Sequence, residues 1–250
     1  MNEEKFSGKA QLYKAYRPTY PDAMLDFLYD KIGFSANSTV ADIGAGTGIL
    51  TALLLARGVR KIYAVEPNAD MRKAADAELA DDPRCFAVDA SAETTGLPAG
   101  SVDFVTAAQA FHWFDKARFQ AECRRILKPG GEVIILYNNR VESPIVLENA
   151  EINRTYCPNF KGFSGGTTQT PEAFADFFKG GHVAYKTFDN PFFLDEDGFV
   201  GRSLSSSYAP KAGDKAYGAY VAALHALFRK YAENGRVPLP YETCIYYGEV

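Results

Sequence analysis

Asp42-Ile43-Gly44-Ala45-Gly46-Thr47-Gly48 stands between an apolar run, Thr39–Ile43, and the leucine-rich stretch Ile49–Arg57, closed by Gly58. The first run reads as a buried strand and the second as a helix, so the glycines fall on a strand-to-helix turn. Glycine there tolerates positive φ and lets a ligand touch the backbone. The helix that follows offers free N–H groups and the positive end of its dipole. Glycines also end strands for purely structural reasons, so the turn alone is a weak signal. Its spacing narrows the reading. Dinucleotide folds favour G-x-G-x-x-G, in which the third glycine allows close helix packing beneath a pyrophosphate. Here the pattern is G-x-G-x-G behind an acid, with Ile49 at the later position.

Outward from the turn, strand and helix patterns alternate. Ala23–Tyr29 reads as a short amphipathic helix before it. After it come a strand at Lys61–Val65, a helix at Asn68–Leu79 with Asn68 as its cap, and strands at Phe86–Val88 and Val102–Ala107. Lys116–Leu127 is a helix stopped by Lys128-Pro129-Gly130-Gly131, and Glu132–Tyr137 is a fifth strand. Short apolar strands separated by helices predict βαβ units and a parallel sheet covered on both faces. Past Asn138 the rhythm loosens. Helices at Ile145–Arg154 and Pro171–Phe178 flank a Gly- and Thr-rich link, and strands at Tyr185–Leu194 and Glu242–Tyr247 flank a helix over Lys215–Ala232. Residues 139–181 form either a helical lid over the strand ends or an elaborated crossover. Tyr241–Val250 reads as a sheet edge able to pair.

The 250 residues are 47% hydrophobic and 23% charged, which fits a single domain over 1–250. A net charge of −4 without a polybasic run argues against nucleic acid as the partner. The N-terminus lacks an apolar signal core and no apolar run approaches ~18 residues, which predicts a soluble cytoplasmic protein without membrane contact. Four cysteines without C-x-x-C spacing and three histidines without paired spacing predict no metal site. Cys123 and Cys244 read as buried free thiols. Neither G-x-S-x-G nor G-K-[ST] occurs, against an α/β-hydrolase or a P-loop NTPase. The oligomeric reading is monomer or homodimer.

Over roughly residues 1–140 the chain resembles the class I S-adenosylmethionine-dependent methyltransferases. Asp42 through Gly48 is similar to the family's first motif. Glu66, at the end of the second strand and followed by Pro67, resembles its ribose-binding acid, which accepts both ribose hydroxyls. Asp89-Ala90 resembles the adenine site, where the carboxylate accepts from the exocyclic amine. Leu97-Pro98, Val102–Val105 and Arg125-Ile126-Leu127-Lys128-Pro129-Gly130-Gly131 resemble the runs around the fourth and fifth strands. The resemblance implies a Rossmann-like α/β three-layer sandwich, with a mostly parallel seven-stranded sheet and an antiparallel C-terminal strand. It implies S-adenosyl-L-methionine as cofactor and S-adenosyl-L-homocysteine as product. The implied cofactor site draws on Asp42, Gly44, Ala45, Gly46, Thr47 and Gly48, then on Glu66, Pro67, Met71, Asp89, Ala90 and Gln109. The plainer alternative for Glu66 is a solvated loop carboxylate.

Tyr16-Arg17-Pro18-Thr19-Tyr20-Pro21 and Ala108–Phe114 resemble the small-molecule branch that contains trans-aconitate methyltransferase. This implies a small-molecule substrate under a cap formed by residues 1–35. Tyr13 and Arg17 fall to the cofactor, and Tyr16, Tyr20, His112 and Trp113 to the substrate; the alternative is a segment packed on the sheet edge. Arg17 would reach a carboxylate of the cofactor or of an acidic substrate; with the resemblance this leans toward a carboxylic acid, while oxygen, nitrogen and carbon all stay open as the methylated atom. Gln109–Phe114 leaves the fourth strand at its carboxyl end, where open α/β sheets bind ligands. Aromatic faces there attract a sulfonium, an effect worth roughly 0.5–2 kcal/mol. His112 is the candidate catalytic residue, as base or as orienter of an acceptor oxygen. Alternatively it satisfies a loop carbonyl while Trp113 and Phe114 staple the next helix. Two other functions fit parts of the pattern: a cofactor sensor without turnover, and an NAD(P)-linked oxidoreductase, which would require the G-x-G-x-x-G spacing that is absent.

Overall fold

The computed structural model describes residues 18–163 and 170–250, so Tyr13, Tyr16 and Arg17 lie outside the described residues. Thr39–Ile43 (β1) is buried along its whole length, as a central parallel strand must be when helices cover both faces. It pairs in parallel with Lys61–Val65 (β2) on one side and Val102–Ala108 (β4) on the other. Cys85–Val88 (β3) continues the sheet beyond β2, and Leu127–Arg140 (β5) beyond β4. Ala184–Asp189 (β6) and Tyr241–Gly248 (β9) complete it. The order is β3-β2-β1-β4-β5-β9-β6, with β9 antiparallel to both neighbours. This is the expected seven-stranded Rossmann-like sheet.

One apolar layer is built by Asp22–Phe27 (α1), Ile49–Ala56 (α2) and Ala69–Leu79 (α3). Met24, Leu28, Leu54 and Leu79 pack there against Val40, Ile62 and Ile134. The opposite layer holds Lys116–Ile126 (α4), whose Phe119, Cys123 and Ile126 are fully buried with Val105 and Ile135. Pro171–Phe177 packs there too, as a 3₁₀ turn instead of the expected α-helix. A third cluster joins Pro144–Tyr156 (α5), Glu196–Leu204 (α6) and Tyr217–Tyr231 (α7) with the ribbon of Phe192–Leu194 (β7) and Val237–Leu239 (β8). No helix among the described residues is long and apolar enough to cross a membrane.

The C-terminal half departs from expectation in three places. Tyr241–Gly248 is an interior strand between β5 and β6, so it is not a free sheet edge. The expected strand Tyr185–Leu194 breaks after Asp189. Pro191 has no N–H for a ladder, and the buried Asn190 amide instead donates to Thr19 O, Asn138 Oδ1 and Thr243 Oγ1. Helix α6 was not expected. Gly198 and Gly201 lower its intrinsic propensity, and it forms because Asp195 caps the Gly198 N–H at 2.8 Å and its packed face is buried.

The Arg125–Gly131 run earns its place through packing and charge. Glu122 is 7% exposed and accepts from Thr95 N, Thr95 Oγ1 and the Arg125 fork, while Arg125 also donates to Leu97 O. The Arg125 pairing and the Thr95 donors hold the Glu122 pKa at about 2 against its burial. A carboxylate depressed in the fold stabilises it above the ordinary value of 4.5 and loses that contribution as pH falls through about 2. The contribution is on the order of 3 kcal/mol. Urea unfolding between neutrality and strong acid should therefore show an acid-labile component that Glu122→Gln lacks. Parallel pH profiles for the two proteins would refute this.

Candidate active site

The site begins beneath the glycine turn. Asp42 is 1% exposed, and its two oxygens accept from Thr51 Oγ1 at 2.6 Å and Thr106 Oγ1 at 2.8 Å. Burial pushes its pKa up and the two hydroxyls pull it back. The carboxylate thus ties β1 to α2 and to β4. It does not line the cavity above, so its expected ligand contact is replaced by an anchoring role. Above it, Gly44 has φ +69°, and a Cβ there would stand 2.6 Å from Ala110 Cβ and 3.1 Å from Phe114. The turn after β1 and the segment after β4 therefore touch. That contact lies where the strand order reverses, the place at which open α/β sheets bind ligands. Gly48 serves packing instead: a Cβ would meet Leu79 of α3 at 2.6 Å, and Gly48 is not in the cavity wall.

A cavity of about 320 Å³ opens at this point, within the size range of small-molecule sites. Gly44, Ala45, Gly46 and Thr47 form one wall. Glu66 enters it from the end of β2, with Oε2 accepting from Gly46 N at 3.0 Å and Oε1 from Asn68 N at 2.9 Å. Its pKa is raised by burial, which outweighs those backbone donors and the Arg72 charge. Each oxygen keeps further acceptor capacity for a ligand hydroxyl. Pro67 and Met71 continue this wall, followed by Ser91, Ala92 and Glu93. Asp89 and Ala90 are not in it. The Asp89 side chain is 70% exposed and accepts from Arg72 at 2.6 Å, so the wall expected there is supplied by the three residues after Ala90.

The segment after β4 contributes Gln109, Trp113 and Phe114. Gln109 holds φ +58°, a left-handed backbone that costs a non-glycine residue on the order of 1 kcal/mol and clusters at functional sites. His112 is not a lining residue: its ring lies 4.5 Å from that of Trp113, and Nδ1 is 3.3 Å from the Tyr137 hydroxyl. Tyr20 lines the opposite wall, as expected, together with Pro18, Asn138, Arg202 and Tyr241. Sequence reasoning missed the last three. Asn138 donates to the carbonyls of Pro18 and Thr19, fastening the N-terminal segment over the cavity. No residue of the described part of 139–181 lines it. Among the described residues no cluster of His, Cys, Asp or Glu is arranged to hold a metal ion.

Residues 41–135 match the family model described as a methyltransferase domain. An uncharacterised methyltransferase of Mycobacterium tuberculosis is 39% identical over 137 residues, spanning 55% of this chain and 53% of that relative. A Dictyostelium discoideum protein provisionally assigned as a methyltransferase is 36% identical over 133 residues, or 53% of this chain and 48% of that one. The chain thus spans about half the length of the curated relatives it matches. A solved structure from Anaeromyxobacter dehalogenans, provisionally assigned as a type II methyltransferase, superposes with a TM-score of 0.67 at 25% identity. That match covers 94% of this chain and 98% of the other. Residues 41–135 are thus similar to methyltransferase domains, and the sheet order, the glycine turn and Glu66 match what a class I S-adenosylmethionine-dependent methyltransferase requires.

The cavity fits that cofactor on its own chemistry. The Thr47 hydroxyl is buried with no hydrogen-bond partner among the described residues, and so awaits a polar ligand atom. Glycine at Gly44 and Gly46 bares backbone to the cavity, and Glu66 offers the paired oxygens that a ribose diol requires. Glu66→Gln should weaken S-adenosylhomocysteine binding by about 1.5–3 kcal/mol in calorimetry, through loss of charge-assisted bonds. Because burial raises the Glu66 pKa, wild-type affinity should begin to fall, as pH is lowered, above the ordinary carboxylate value of 4.5. The Gln variant should lack that fall, and an identical pH profile in both proteins would exclude Glu66 from the ribose.

Proposed function

We propose that the protein transfers the S-adenosylmethionine methyl group to a small-molecule acceptor held in the same cavity. One observation carries this: the cavity runs from the glycine turn and Glu66 to a second wall of Tyr20, Asn138, Arg202 and Tyr241, which the cofactor's own recognition does not require. A carboxylic acid is the acceptor class in view. The net charge of −4 supports a small acceptor over nucleic acid. The protein acts on it as a monomer or homodimer.

The bound cofactor supplies a methyl group already activated on a sulfonium. Held by the glycine turn and Glu66, it would give that methyl carbon to the acceptor's lone pair and leave as the neutral thioether. The residues of this chain then have three tasks: to orient the acceptor in line, to exclude water and to favour positive charge at the reacting centre. The rings of Trp113 and Phe114 serve the last. Residues 1–35 act as the cap, through Pro18 and Tyr20, with Asn138 and Asn190 clasping the cap backbone. Residues 139–181 act as scaffold instead of lid, since α5 packs into the cluster that carries α6 and α7.

His112 acts as a positioning residue for Trp113. A general base contributes ~10²–10⁴ in rate. His112→Ala should cost less than ~10-fold in kcat and leave the shape of the pH–rate profile unchanged; a larger loss with a vanished limb would restore it as the base. Gln109→Gly should keep or raise stability by relieving the left-handed backbone, while weakening ligand binding; unchanged binding would make its side chain a bystander. Methyl transfer itself is tested by incubating the protein with labelled S-adenosylmethionine and a metabolite extract. Label in a low-molecular-weight product is expected. Tight S-adenosylhomocysteine binding without transfer to any component would instead identify a sensor.

A further inference from the structure

The wall at the end of β3 carries an acid of its own. Ser91, Ala92 and Glu93 line the cavity there, and Asp89 does not. Asp89 is taken by Arg72 at 2.6 Å, and Arg72 Nη1 also donates to Glu66 O at 2.7 Å. Glu93 is half-buried, and its Oε1 accepts from Asp115 N at 2.9 Å. Asp115 in turn caps α4 by accepting from Arg118 N. The loop around Glu93 is fixed on both sides. Thr94 N donates to Ser91 O, Ala92 belongs to the core cluster of Ile43 and Val65, and Thr95 donates to Glu122.

The strand order decides which part of the cofactor meets this acid. Glu66, the acceptor for the ribose diol, stands at the end of β2, with the end of β3 on one side and the ends of β1 and β4 on the other. The ribose lies between the base and the sulfur of the cofactor, so those two parts leave Glu66 in opposite directions. The sulfur must face the acceptor wall, whose Asn138 and Tyr241 belong to β5 and β9, beyond β4. The amino-acid end suits the free N–H groups of the glycine turn at the start of α2. The base is left at the end of β3. Its exocyclic amine is a donor, and an ionised carboxylate is acceptor-only. One Glu93 oxygen is engaged by Asp115 N, which orients the group, and the other keeps its acceptor capacity. The Ser91 hydroxyl both donates and accepts, so it does not tell an amine from a carbonyl; Glu93 does.

We infer, resting on the cofactor reading of the cavity and not on the acceptor, that Glu93 is the residue that selects the base, in place of Asp89. Its carboxylate accepts from the exocyclic amine and rejects a ring that carries a carbonyl at that position.

The test is calorimetry with S-adenosylhomocysteine against S-inosylhomocysteine, in which a carbonyl replaces the amine. The wild type should bind the adenosyl compound ~10-fold or more tightly, the scale of one charge-assisted hydrogen bond. Glu93→Gln keeps an acceptor for Asp115 N and gains an amide N–H that suits the carbonyl, so the preference should fall below ~3-fold. S-inosylhomocysteine affinity at or above the wild-type level would show this variant folded. Glu93→Ala, a second route to the same loss, should also fall below ~3-fold. Asp89→Asn and Ser91→Ala should each keep the ~10-fold preference. Equal binding of the two compounds by the wild type overturns the inference. So does a preference that survives the Glu93 substitutions, or one that Asp89→Asn or Ser91→Ala removes. If neither compound binds the wild type, the cofactor reading falls and the inference with it. Preference without methyl transfer to any acceptor would sink the transfer reading and leave the assignment of Glu93 standing.

Discussion

A buried carboxylate holds the centre of this molecule together. Asp42 gives one oxygen to Thr51 on α2 and the other to Thr106 on β4, so a single side chain fixes the strand, the helix after it and the neighbouring strand. Its desolvation is unfavourable, and the two hydroxyls satisfy it in place of water. Because β1 and β4 are held in register there, the turns that leave them meet, and Gly44 lies against Ala110 with no room for a side chain. Every wall of the cavity is placed relative to that contact.

The two ends of the cavity have different origins. One end is made by short runs at strand ends, where parallel topology alone delivers them: the glycine turn after β1, Glu66 after β2, Ser91–Glu93 after β3 and Gln109, Trp113 and Phe114 after β4. The far end is assembled from pieces distant in the chain. Pro18 and Tyr20 come from the N-terminal segment, Asn138 from β5, Arg202 from α6 and Tyr241 from β9. A buried polar set of Asn138, Asn190 and Thr243 joins β5 to β9 through mutual hydrogen bonds and reaches the N-terminal segment at Thr19 O, and a set of this kind specifies one arrangement. A fold can keep the first end while the second varies with the acceptor.

Legibility in the sequence follows the same division. The alternation through Tyr137 was readable because the central strands, β1 above all, are apolar and buried on both faces, and because caps and glycines punctuate the helices. Glu66, Thr47 and Trp113 were readable from their positions at strand ends. Asp42 and Gly48 were placed in the right turn, but their engagement with Thr51, Thr106 and Leu79 was not legible, since spacing cannot tell which protein groups a residue meets. Asp89 was named in place of its successors because its engagement by Arg72 depends on how α3 lies against β3. Arg202 was missed outright: it sits among glycines and serines whose helical propensity is low, in a helix that exists because the third cluster packs around it.

The sequence by itself determined the succession of the first five strands along the chain, the glycine turn and the acid that meets it. Those features depend on residues close in the chain, whose spacing carries the geometry. Tertiary structure alone decided that β9 lies inside the sheet, that His112 turns toward Tyr137 instead of the cavity, and that two arginines flank Tyr241. These are long-range placements, fixed by packing and by the cost of burying charge, and no local pattern encodes them.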